Sequence, residues 1–226
     1  VGVRQIIGKN MIGVYSYGEP IDPNTPYDLF YTLNLPVSPW KKDLDLQSDI
    51  VDKIDWHRPY RNWLVDTEDY ISKEFHEFCY SIGLKLTTKQ LFFACKEGYK
   101  GFRHRDVHIY PHWHWGNPYN CAALNFLLTP TAGCLDFLDV REGGEILDTE
   151  CNTQYEVGVD HDHTKIITSW TGQDNLSPTL VRTEAAHQAS NLQGPGPRVT
   201  FTVRFHLNPI WWMVRAAFEP YFIRGY

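Results

Sequence analysis

No two cysteines in this 226-residue chain are spaced as CxxC, and the five present (Cys79, Cys95, Cys121, Cys134 and Cys151) are an odd number. Those two facts argue against a closed disulfide framework and against a structural zinc site. The expectation is reduced, mostly buried thiols in an intracellular, cytoplasmic protein. There is no run of about 18 apolar residues, so no transmembrane helix is expected. No signal peptide is recognisable, and the chain starts at Val1 rather than Met, which leaves room for removed upstream sequence. No run of Lys or Arg occurs, and the formal net charge is −6. Nothing electrostatic therefore favours a nucleic-acid backbone as partner. No low-complexity tract, internal repeat or dividing linker is visible, so residues 1–226 read as one domain.

What is present is the composition of a folded protein, 42% hydrophobic and 21% charged, with 14 prolines and 16 glycines scattered along it. Scattered breakers imply many short elements joined by turns, as in a mainly β protein. The stretch "DTEDYISKEFHEFCYSIGL", 66–84, opens on the capping residues Asp66 and Thr67 and has apolar residues at helical spacing. It stops at Gly83, which predicts one amphipathic helix. "KQLFFACKEG" reads as a buried strand. Further strands are expected at 120–130, 133–140, 165–170, 178–183 and 198–207, with weaker ones around His104 and at 154–159. Turn signals separate them. Such a series predicts a double-sheet jelly roll with its core at about 90–207, supported by N-terminal and C-terminal helices. The C-terminal "NPIWWMVRAAFEPYF" is expected to pack on a sheet, with a homo-oligomer contact as its alternative role.

Four histidines crowd "GFRHRDVHIYPHWHWGNPYN", 101–120. His104 and Asp106 form an HxD pair. In an extended segment residues i and i+2 share a face, so both side chains can converge on one ion. With a third ligand from elsewhere they make the two-histidine, one-carboxylate facial set that leaves open positions on Fe(II). His187 lies downstream, and eleven residues later Arg198 and Thr200 again share a face, where they can fork onto a carboxylate. Arg204, at an even spacing from Arg198, is the rival for that role. Asn125, in "ALNFLL", is expected to face inward, either toward a ligand or to satisfy a buried backbone group. Asn191 reads as a turn residue. His112 and His114 form an HxH, the reserve pair to His104 and Asp106, and His108 is a spare. The alternative for 110–119 is an aromatic lid over the mouth of the sheets. "GVDHDHTK", 158–165, with Asp160, His161, Asp162 and His163, reads as a solvated loop.

The ordered set of HxD, distal His and Arg-x-Thr resembles the Fe(II)/2-oxoglutarate-dependent oxygenases. The text "LVRTEAAHQASN…PRVTFTVRF" is similar to the distal strand–His–loop–Arg segment of that superfamily. The resemblance implies Fe(II) held by His104, Asp106 and His187, and 2-oxoglutarate held by Arg198 with Thr200; Asn125 stands beside them as a candidate co-substrate contact. It implies dioxygen as oxidant, succinate as co-product, and hydroxylation of a small-molecule or side-chain substrate. The sequence does not name that substrate. Two other readings stand beside this one. One is a jelly-roll binding or structural module without activity, perhaps of viral type. The other is a cupin metalloenzyme that does not use 2-oxoglutarate.

Overall fold

A computed structural model describes residues 28–101, 103–106, 121–129, 133–140, 145–146, 156–159, 164–171, 177–192 and 196–223. In chain order its strands are β1 (Phe30–Thr32), β2 (Tyr60–Asp66), β3 (Lys89–Cys95), β4 (Tyr99–Lys100), β5 (His104–Asp106), β6 (Ala122–Leu127) and β7 (Cys134–Val140). They continue with β8 (Glu145–Ile146), β9 (Glu156–Val159), β10 (Thr164–Thr171), β11 (Thr179–Arg182), β12 (His187–Asn191) and β13 (Arg198–Val203). Among the described residues the helices are α1 (Leu46–Asp49), α2 (Thr67–Tyr70), α3 (Lys73–Ser81) and α4 (Trp211–Phe218), with short 3-10 turns after α1 and α4.

Two antiparallel sheets result. One has the order β1-β11-β6-β13-β3-β2, the other β10-β7-β12-β5-β9-β8, with β4 beside β12. The chain winds from β3 to β5, back to β6 and across to β7. It then returns as β10, β11, β12 and β13, each lying antiparallel beside strands of the outward run. That double winding is the predicted jelly roll, a double-stranded β-helix, and the fold is mainly β. No helix among the described residues is long and apolar enough to cross a membrane.

The first sheet has two unlike faces. Its outer side presents Phe92, Leu124, Phe126, Leu180, Phe201 and Val203, which form one apolar cluster with Phe75, Phe78, Trp211, Val214 and Phe218 of α3 and α4. Its inner side turns toward the second sheet, where Leu127 and Val181 join Leu135, Phe137 and Trp170. Strand β13 shows the division most sharply. Val199, Phe201 and Val203 alternate with Arg198, Thr200 and Thr202, and all six are buried. A period of two with both sets buried puts three polar side chains into the space between the sheets.

The helix expected over 66–84 is two. Ile71 is extended and bridges to Trp40, and the Ser72 N–H donates to the Pro39 carbonyl (2.9 Å). That crossing segment interrupts the helical ladder. Ser72 then caps α3, its hydroxyl accepting from the Phe75 N–H at 3.1 Å and donating to the Ser38 carbonyl at 2.8 Å. The expected stop holds: Gly83 has φ +82°, a conformation a side chain would strain, and the Leu84 N–H bonds back to the Cys79 carbonyl. The last strand ends at Val203 rather than 207, because the Arg204 N–H leaves the ladder for the side chain of Gln90 (2.7 Å). Of the two C-terminal tryptophans, Trp211 is buried and donates to Asp28 (3.1 Å), while Trp212 is exposed. Cys79, Cys95 and Cys121 are buried free thiols and Cys134 is partly buried.

Ser72→Ala removes the cap of α3 and its tie to residue 38 together. We expect a loss of about 1–2 kcal/mol in urea unfolding, read as a lower midpoint at unchanged slope.

Candidate metal and carboxylate site

Strands β5 and β12 meet at a single pair of residues, His104 opposite His187. Their rings lie 4.4 Å apart, centroid to centroid. Asp106, two residues along β5, turns to the same side, and its Oδ1 is 3.6 Å from His104 Nε2 and 3.9 Å from His187 Nε2. One ligand atom from each of the three residues falls within 4.8 Å of the others. Ligand atoms about 2.1 Å from a common ion sit roughly 3 Å apart when cis. Closing the observed spacing needs only small side-chain adjustments. The sequence thus brought together the HxD pair and the distant histidine. His187 follows β11 by a short turn and opens β12.

The chain fixes each of the buried groups. His187 Nδ1 donates to the Ala185 carbonyl at 2.8 Å, which leaves the Nε2 lone pair facing His104 and Asp106. Burial, with His104 adjacent, drops the His187 pKa to about 4, so the ring is neutral near pH 7 and its Nε2 can serve as a ligand. Burial opposes ionisation of Asp106. The Arg204 guanidinium and the two imidazoles outweigh it and hold the carboxyl below its usual range. Arg204 reaches Asp106 Oδ2 through one nitrogen and Thr183 Oγ1 (2.9 Å) through another. The Asp106 N–H donates to the Thr183 carbonyl at 3.1 Å. Oδ2 is thereby occupied and Oδ1 is presented to the histidines.

These residues line one end of a cavity of about 180 Å³ between the sheets, and Arg198, Thr200, Thr202 and Asn125 line the same cavity. Thr202 donates to Asn125 Oδ1 at 2.9 Å, which turns the Asn125 amide group away from that contact. Asn191, expected at a turn, is instead the last residue of β12, paired with Tyr99 and buried, with its amide donating to the Gly196 carbonyl (2.9 Å). Arg198 is 2% exposed, and its guanidinium stands 5.8 Å from the ring of Trp170. Burial lowers its pKa. Arg198 Nε and Thr200 Oγ1 are buried polar atoms with no hydrogen-bond partner. Gly133 escaped the sequence reading. A Cβ there would lie 2.5 Å from Arg198 Cδ and 2.8 Å from the Ser190 carbonyl, so only glycine lets the arginine lie where it does. Its one signal was a glycine at the start of a strand, which is common at turns.

His108, His112, His114, the stretch 110–119 and Asp160 to His163 lie outside the described residues. No family model matches the sequence, and no curated protein matches it. Among solved structures the chain is similar to a vicilin from Solanum melongena, at 9% identity and TM-score 0.31, over 78% of this chain and 45% of that one. It is also similar to the apoform of EctD from S. alaskensis, at 15% identity and TM-score 0.28, over 57% of this chain and 48% of that one. The chain spans under half the length of each. Likenesses this weak carry no argument, and the fold stands on its own strand order.

The His187 pKa gives a testable sign. Unfolded, the imidazole titrates near its ordinary 6.5; folded, it does so at about 4. Between those values the unfolded chain binds the extra proton, so stability rises with pH across that window. For metal-free protein, thermal or urea unfolding between pH 4 and 6.5 is expected to show that slope, and His187→Gln to flatten it. An equal slope in the variant would contradict the assignment.

Proposed function

We propose that the chain is an Fe(II)/2-oxoglutarate-dependent oxygenase that oxidises a C–H bond of a small-molecule or side-chain substrate. His104, Asp106 and His187 would hold the iron, and Arg198 with Thr200 the distal carboxylate of 2-oxoglutarate. The observation that carries this reading is the buried, unpartnered pair of Arg198 Nε and Thr200 Oγ1, aimed into the cavity that holds the triad. A buried cation without an anion is costly, and a carboxylate would relieve it through charge-assisted hydrogen bonds.

The donor set fits a metal of this kind. Two imidazole nitrogens and one carboxylate oxygen leave the remaining positions of an octahedral ion open. Bound iron and 2-oxoglutarate supply the activation of dioxygen and the oxidising power, with decarboxylation to succinate. The chain's own residues bind, orient and exclude water. Arg204 restrains Asp106 so that one oxygen is offered to the metal, and the Ala185 carbonyl fixes the tautomer of His187. Arg198 and Thr200 set the direction of the co-substrate along β13, and the Asn125 amide group adds a donor to the same wall.

The two arginines are expected to separate experimentally. With anaerobic Fe(II)-loaded protein, calorimetric titration should show Arg198→Ala weakening 2-oxoglutarate binding by about 2–5 kcal/mol, roughly thirtyfold or more. Its iron content should be unchanged. Arg204→Ala should instead lose iron. If Arg198→Ala binds 2-oxoglutarate as the parent does while iron is retained, a metalloenzyme without this co-substrate replaces the proposal.

A further inference from the structure

Strand β13 runs the length of the cavity, with Arg198 at its first position and Arg204, which holds Asp106, one residue past its last. Register carries each position across the sheet. Arg198 faces Cys95 on β3, and Cys95 faces Tyr60 on β2; likewise Thr200 faces Phe93, and Phe93 faces Asn62. Tyr60 is therefore two strands away from Arg198, about 10 Å, and on the same face. There the sheet ends, since β2 is its edge strand and Tyr60 and Asn62 are exposed.

Beyond that edge lies a second hollow, formed by Asp55, His57, Arg58 and Arg61, which shares Tyr60 and Asn62 with the cavity. His57 and Arg61 lie 3.3 Å and 3.9 Å from Asp55, and Arg58 adds a second guanidinium. The groove thus sets two guanidinium groups against one carboxylate, in a chain whose formal net charge is −6. The Tyr60 ring leans on Tyr99 (centroids 5.2 Å apart) and on Phe93 (6.5 Å), and all three line the cavity wall on the groove side.

We propose that this groove is the entrance by which the dicarboxylate co-substrate reaches Arg198, with Arg58 and Arg61 drawing it in and the Tyr60–Tyr99 contact as the barrier it passes. The inference rests on the function proposed above. A chain of net negative charge repels a dianion as a whole. A local positive approach focuses the field and raises the encounter rate without adding a contact in the bound state. The metal-binding end of the ligand would travel first, leaving the distal carboxylate to settle on the arginine nearest the entrance.

The test is stopped-flow binding of 2-oxoglutarate to anaerobic Fe(II)-loaded protein, followed by intrinsic fluorescence at several ionic strengths. Arg58→Glu should slow association about tenfold at low salt, with the gap closing as salt is raised and dissociation unchanged. Arg61→Gln should slow it in the same direction. Tyr60→Ala should speed association and dissociation together, leaving affinity nearly constant. Association that is equal in parent and Arg58→Glu at every salt concentration overturns the entrance while leaving the proposed function intact. So does a defect confined to dissociation. Failure of the parent protein to bind 2-oxoglutarate at all overturns both.

Discussion

Two arginines six residues apart, one opening β13 and one just past its end, line the same buried space, and among the described residues only Arg204 pairs with a carboxylate. Arg204 is engaged with Asp106 and Thr183; Arg198 lies almost fully buried over Trp170, and no ion pair is formed by it among the described residues. Taking a charge out of water without a partner costs several kcal/mol. That imbalance is the constraint around which the site is arranged. Glycine at 133 makes room for the arginine, Trp170 gives its guanidinium an aromatic face, and the Thr200 hydroxyl waits beside it without a partner.

The double winding supplies the geometry. Because the return strands lie between the outward ones, β12 sits between β7 and β5, and β13 between β6 and β3. The first arrangement brings His187 opposite His104, from segments 83 residues apart in sequence. The second places the polar side of β13 across the cavity from the triad. The helices serve this indirectly, since α3 and α4 cover the outer face of the first sheet and leave its inner face to the site. Arg204 links the two halves: it closes the polar side of β13 and holds the carboxylate that completes the triad.

Much of this was legible in the residues. "RVTFTV" shows its alternation openly, and the HxD, the distal histidine and the Arg-x-Thr stand in order. Other parts were hidden for physical reasons. Strand β12, "HQASN", has no apolar alternation because its inward positions belong to the site, so hydrophobic pattern alone passes over it. Strand β2 is an edge strand with exposed residues on both faces and carries a weak signal for the same reason. The break at Ile71 came from residues 39–41 crossing over the helix, a tertiary contact that local spacing does not encode. The contest between Arg198 and Arg204 could not be decided by spacing, since both share one face. Among the described residues Arg204 pairs with Asp106 and Arg198 with no carboxylate, which is the ground on which Arg198 is the proposed clamp.

The central claim is that one cavity holds both a metal and a dicarboxylate, chelated together. The most direct measurement is the visible absorption spectrum of the intact protein with Fe(II) and 2-oxoglutarate under strict exclusion of oxygen. The account predicts a weak metal-to-ligand charge-transfer band that requires both additions and vanishes in Arg198→Ala at the same concentrations. Iron retained by the triad with no such band at saturating 2-oxoglutarate would contradict it.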